Sequence, residues 1–116
     1  MESTIKIYYY TDAVATLPFA FNIIFSGNVD PRLLENEKYY SNVHTFTKNV
    51  GDDVNKFLDD LFAIYNSDQN PLSTVAMQKY IQEKNTHTSM SVGDVIYIDG
   101  IPYSVSGFGF KKMTIL

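Results

Sequence analysis

Hydrophobic and polar positions are most tightly ordered near the C-terminus. Val95, Ile96, Tyr97 and Ile98 form an unbroken β-rich run opened by Asp94, and Ile101, Tyr103 and Val105 alternate with smaller residues up to Ser106. Such runs suit pleated, half-buried strands. Asp99-Gly100 lies between them, and a two-residue Asp-Gly link favours a type I′ turn because both central residues need positive φ. Residues 94–98 and 101–106 are therefore predicted to be the arms of a β-hairpin. Gly107-Phe108-Gly109-Phe110 then puts glycines where a strand bends, and a last short strand is predicted over about residues 112–116.

Upstream, Ile5, Ile7 and Tyr9 alternate with Lys6, Tyr8 and Tyr10, which predicts a first strand with one apolar and one half-polar face. Residues 17–25 read as a short helix with Pro18 in its first turn, although Phe-Asn-Ile-Ile-Phe fits an extended segment equally well. Gly27-Asn28-Val29-Asp30-Pro31 is a turn cluster, and residues 39–47 are rich enough in β-branched and aromatic side chains to predict a second strand. Over residues 52–65 the period changes: Val54, Phe57, Leu58, Leu61, Phe62 and Tyr65 fall on one helical stripe, with Asp52 and Asp53 at the positive end of the helix dipole. Asn66 to Asn70 stops that helix, and Pro71 opens a second one through about Glu83, with Val75, Tyr80 and Ile81 facing inward. The order of strands, helices and strands predicts an α+β fold. It is a mostly antiparallel sheet whose C-terminal β-hairpin packs with it against two central helices.

Composition narrows this to one domain over residues 1–116, since a chain of this length with 45% hydrophobic residues, nine Tyr and eight Phe can bury a core. The absence of cysteine excludes disulfides, thiolate nucleophiles and Cys-ligated metal centres, and a reducing, cytoplasmic setting is expected. The apolar stretch 14–25 is interrupted by Thr16, Pro18 and Asn22 and is shorter than the roughly 20 residues that cross a bilayer, so no membrane partner is expected. Met1-Glu2-Ser3-Thr4 has no positive region or small-residue cleavage site, and no export is expected.

A set of segments carries a resemblance. Phe57-Leu58-Asp59-Asp60-Leu61-Phe62, Tyr65-Asn66-Ser67-Asp68, His87-Thr88-Ser89-Met90-Ser91-Val92-Gly93-Asp94-Val95-Ile96, and Tyr103 with Gly107-Phe108-Gly109-Phe110-Lys111 resemble the YodL-like domain over about residues 54–113. The resemblance implies a context: such domains occur in low-GC Gram-positive bacteria and in proteins of their phages, plasmids and conjugative elements, sometimes within large polyvalent proteins associated with countering host defences. It supplies no catalytic residue.

The candidate chemistry is sparse. His44 and His87 are the two histidines, and no recognisable spacing of Asp or Glu completes a metal site around either. Ser89 and Ser91 lack a nucleophile elbow and read as strand entry and turn capping, while Gly107-x-Gly109 has no helix behind it to receive a phosphate. No catalytic residue, metal or cofactor is therefore expected. Asp52, Asp53, Asp59 and Asp60, with Asp68 beyond them, could imitate nucleic-acid phosphates, but Lys56 partly neutralises the row, the formal net charge is only −4, and a solvated outer helix face is the plainer reading. Direct nucleic-acid binding is not expected, because Arg32 is the single arginine and the lysines are scattered. Tyrosine suits protein interfaces, and an exposed row of Tyr8 and Tyr10 joins the four aspartates as the candidate partner-binding surface.

The expected function is that of a small non-enzymatic phage or mobile-element protein. It would bind and inhibit a host protein, with a nucleic-acid-handling defence system such as a CRISPR effector or restriction enzyme as the expected target. A homodimer is possible. The alternatives are a small hydrolase or metal-assisted nuclease using His44 or His87 as acid and base, and a structural accessory domain.

Overall fold

The computed structural model describes residues 1–114. Strands β1 (Ser3–Tyr10), β2 (Tyr40–Lys48), β3 (Val95–Ile98), β4 (Ile101–Ser106) and β5 (Gly109–Lys112) make one sheet in the order β2-β1-β3-β4-β5. Every neighbouring pair is antiparallel. The first strand thus lies between the second strand and the C-terminal hairpin, with Ile5 opposite both Phe46 and Ile98. Asp99 at φ 49° and Gly100 at φ 82° form the predicted turn, because these two residue types tolerate the left-handed backbone that a tight hairpin needs. The last strand ends at Lys112, earlier than expected, since it begins directly after the Gly107-Phe108 turn to pair Phe110 with Val105. The rest of the strand predicted there reaches residues 115–116, which lie outside the described residues.

Helices α1 (Ala20–Ser26), α2 (Val54–Ile64) and α3 (Val75–Glu83) complete the fold, which is α+β. The strict alternation of β1 sends its side chains to two different cores. Ile5, Ile7 and Tyr9 face one side with Ile96 and Ile98, where Phe57, Leu58 and Leu61 of α2 and Tyr65 at its C-cap cover them. Tyr8 and Tyr10 face the other side with Val95 and Tyr97, where Val14, Ile23, Leu34 and Tyr40 from the chain between β1 and the start of β2 pack on them. Each buried Leu, Ile or Phe contributes about 1.5–3 kcal/mol of transfer free energy.

Local capping explains the element boundaries. The Asp53 carboxylate accepts the Lys56 N–H at 3.0 Å and starts α2. Pro71 does not open α3: it begins the short 3-10 turn Pro71–Ser73, capped by Asn70, and Thr74 is extended at ψ 156° before its hydroxyl caps α3. This offset turns Val75 outward, 90% exposed, contrary to the inward position predicted for it, while Ile81 is buried. α1 buries Ile23 and leaves Phe21 and Phe25 exposed, ring against ring at 4.4 Å. The α1 C-terminus ends at Gly27 with φ 72°, and a Cβ there would meet the Val105 carbonyl at 2.2 Å. At Gly93, φ +96°, a Cβ would meet the Ile23 carbonyl at 2.8 Å. Backbone therefore packs directly on backbone where α1 crosses the end of the hairpin.

Candidate functional site

A hollow of about 760 Å³ lies where β1 ends and β2 begins. Its floor includes Tyr8, Tyr40, Ser41 and Asn42, and Tyr80 reaches in from α3. A β-bulge between Ile7 and Tyr8 shifts the register, so that Tyr8 pairs with Asn42 and Ile7 with His44, which leaves Val43 as the extra residue. The Asn42 carbonyl accepts the Tyr80 hydroxyl at 2.7 Å, and Thr11 closes one end by donating to the Lys38 carbonyl. The rim carries Asp12, Glu35, Glu37 and Glu83 against Lys38 and Lys84, an acidic excess. Both lysines lie over tyrosine rings, Lys38 over Tyr39 and Lys84 over Tyr80, at 5.5 Å from the ring centres. Elements far apart in sequence build this groove: the 3-10 turns Asp12–Thr16 and Pro31–Glu35, the start of β2 and the end of α3.

Behind the groove, Asp94 is fully buried and its carboxylate accepts three hydrogen bonds: His87 Nε2 at 2.8 Å, Ser91 N at 2.7 Å and Tyr10 N at 3.1 Å. Burial pushes the Asp94 carboxyl up to about 6, with the His87 contact and the two N–H donors pulling the other way. His87 stacks on Tyr9 at 4.6 Å and leans on Tyr10 at 4.5 Å. Its Nδ1 faces the Thr86 hydroxyl at 3.3 Å, but that hydroxyl donates to the Tyr10 carbonyl at 2.7 Å. Tyr40 donates to the Gly93 carbonyl at 2.6 Å, and burial raises its pKa. The pair thus has the imidazole–carboxylate half of a catalytic triad without a free hydroxyl beside it. It clamps the 87–94 segment to the end of β1.

The candidate residues of the sequence do not converge. Tyr8 lines the groove, half-buried and edge-on to Tyr97 at 5.3 Å, while Tyr10 is half-buried beneath His87, so they form no exposed row. Asp52, Asp53, Asp59 and Asp60 are exposed at the outer side of α2, across the sheet from both tyrosines. Asp53 is spent on capping, and Asp60 pairs with Lys56 at 3.0 Å. His44 Nδ1 meets the Tyr65 hydroxyl at 2.6 Å, and burial lowers its pKa, which suits a neutral ring accepting that proton. The Ser91 N–H and carbonyl bind the Asp94 side chain and N–H, a turn built on backbone. Among the described residues, no group of three or more His, Asp or Glu is placed to hold a metal, and no helix is long and apolar enough to cross a membrane. Sequence reasoning missed Glu35, Glu37, Glu83 and Tyr80. Glu35-Asn36-Glu37 after Asp30-Pro31 was the available signal, but nothing local joins it to α3.

No family model matches the chain, and no solved structure matches it. A protein of Acanthamoeba polyphaga mimivirus, described as Uncharacterized protein R785, is 30% identical over 109 residues, an alignment covering 94% of this chain and 91% of the relative. At that identity and coverage, the chain belongs to the same family as this mimivirus protein.

Proposed function

We propose that the protein is a small non-enzymatic binder of viral or mobile-element type, working in a reducing, cytoplasmic setting by stoichiometric docking onto a host protein. The observation that carries this reading is the tyrosine-floored groove with its acidic rim, Asp12, Glu35, Glu37 and Glu83 outweighing Lys38 and Lys84. The half-buried Tyr8 and Tyr80 supply contact area at low entropic cost, and a carboxylate rim favours a basic partner. A nucleic-acid-handling defence protein, whose working surface must be basic, is the target class that this chemistry suits. A viral relative and the YodL-like resemblance support the same context. Against the hydrolase alternative, His87 does not line the groove, and the neighbouring Thr86 hydroxyl is engaged by the Tyr10 carbonyl.

The test begins with tagged protein in nuclease-treated host lysate, where a captured partner is identified and its activity titrated. Activity should fall in proportion to added protein and stop at a fixed molar ratio. Charge reversal at the rim, Glu35→Lys with Glu37→Lys and Glu83→Lys, should weaken inhibition by about tenfold or more and flatten its salt dependence. Inhibition by substoichiometric amounts, or by the triple variant as well as by wild type, would overturn the reading.

A further inference from the structure

The two edges of the sheet are guarded unequally. β5 has four residues and carries Lys111 and Lys112, the short charged edge that resists pairing. β2 has nine residues, Tyr-Ser-Asn-Val-His-Thr-Phe-Thr-Lys, with Lys48 at its very end as its one charge. Among the described residues, the elements in closest backbone contact with it are β1 and the 3-10 turn Pro31–Glu35, and the Tyr80 hydroxyl covers the outward carbonyl of Asn42 near its start. Beyond the bulge lies a regular stretch of aromatic and β-branched residues.

Hydrogen bonds elsewhere reveal which backbone groups this stretch turns outward. The Thr4 carbonyl accepts from Asp99 N and the Tyr10 N–H donates to the Asp94 carboxylate, so the even-numbered residues of β1 direct their backbone groups toward β3. Their register partners, Thr47 opposite Thr4 and Thr45 opposite Lys6, therefore turn N–H and C=O away from β1 to the open edge. Both threonines are exposed, and they flank the half-buried Phe46 symmetrically.

We infer that β2 is a self-pairing edge, at which two copies of this chain join antiparallel about a two-fold axis through Phe46, with Thr45 of each copy opposite Thr47 of the other. This register satisfies the outward N–H and C=O groups of both threonines on both copies. An axis at Thr45 would set Thr47 against the bulged Val43, and one at Thr47 would set Thr45 against Asn49, beyond the strand. On the axis Phe46 faces its own copy in a non-hydrogen-bonded pair, the closest side-chain approach in an antiparallel ladder, and threonine faces threonine beside it. Lys48 falls opposite His44, whose burial favours the neutral ring, so no like charges meet. The paired stretch stops short of Tyr40–Asn42, leaving both grooves outside it and the dimer bivalent.

The full chain should show a concentration-dependent dimer in sedimentation equilibrium, with the Thr45 and Thr47 amides gaining hydrogen-exchange protection as dimer forms. Thr47→Pro removes an outward N–H and nothing from the β1 ladder. It should keep the far-UV spectrum and raise the dimerisation midpoint by about tenfold or more, as expected for losing one hydrogen bond from each half of a symmetric pair. Phe46→Cys, in a chain with no cysteine of its own, should form a disulfide dimer under mild oxidation, faster than Thr45→Cys, whose symmetry mate lies off-register. A monomer throughout the concentration range would overturn the inference. So would a dimer unmoved by Thr47→Pro that fails to cross-link through position 46, since that dimer would use another surface.

Discussion

Asp94 keeps a carboxyl fully buried, and His87, Ser91 N and Tyr10 N hold it there. Its pKa rises from 3.8 to about 6, with burial the largest cause. A carboxyl raised on folding contributes fully below its unfolded pKa, and that contribution is lost as pH rises through the folded one. The thermal midpoint of wild type should therefore fall, measured against Asp94→Asn, as pH goes from 3.8 to about 6, and a difference that stays flat across this window would contradict the assignment. The Asp94 carboxyl carbon should titrate near the upper end of the window by NMR. At Gly27 the constraint is steric: φ is +72° and an added Cβ would meet the Val105 carbonyl at 2.2 Å. Gly27→Ala should cost about 2–4 kcal/mol in denaturant unfolding, whereas Gly107→Ala, with nothing within 4 Å of the added Cβ, should stay within about 0.5 kcal/mol. The glycine positions were legible in the sequence. Their different costs were not, because the carbonyl facing Gly27 comes from a strand 78 residues away, 105 − 27 in the numbering.

At the scale of elements, period was a dependable guide where one face is buried. The stripe of α2 puts Phe57, Leu58, Leu61 and Tyr65 in the core as the spacing predicted, and the Asp-Gly turn sits between its two strands. α3 departed from prediction because Thr74, and not Pro71, caps it, and the shift of start turns Val75 to solvent. Val75→Gln should therefore change stability by no more than about 0.5 kcal/mol, while Leu58→Ala and Ile81→Ala should each cost about 2–5 kcal/mol in chemical denaturation. A large loss at Val75 would mean that α3 begins a turn earlier. The last strand was misplaced for a similar reason: pairing with β4, more than its own residues, decides that β5 occupies Gly109–Lys112.

At the scale of the whole molecule, the sheet separates the proposed binding surfaces. Tyr8 opens into the acidic groove on one side, and the aspartates of α2 stand on the other. If the groove is the docking surface, Asp59→Lys with Asp60→Lys should leave partner capture within about twofold of wild type while the Glu35, Glu37 and Glu83 reversals weaken it, as read by titration calorimetry. The opposite ranking would move the interface to α2. Alternation in β1, the helical stripe over 54–65 and the Asp-Gly hairpin follow from local chemistry, so the chain alone settles its α+β class and one of its two cores. The groove, the His87–Asp94 clamp and the open edge of β2 were decided by tertiary contacts. Each joins groups that no sequence period links, such as Glu35 with Glu83 or Tyr10 with Asp94, and only the strand order β2-β1-β3-β4-β5 brings them within reach.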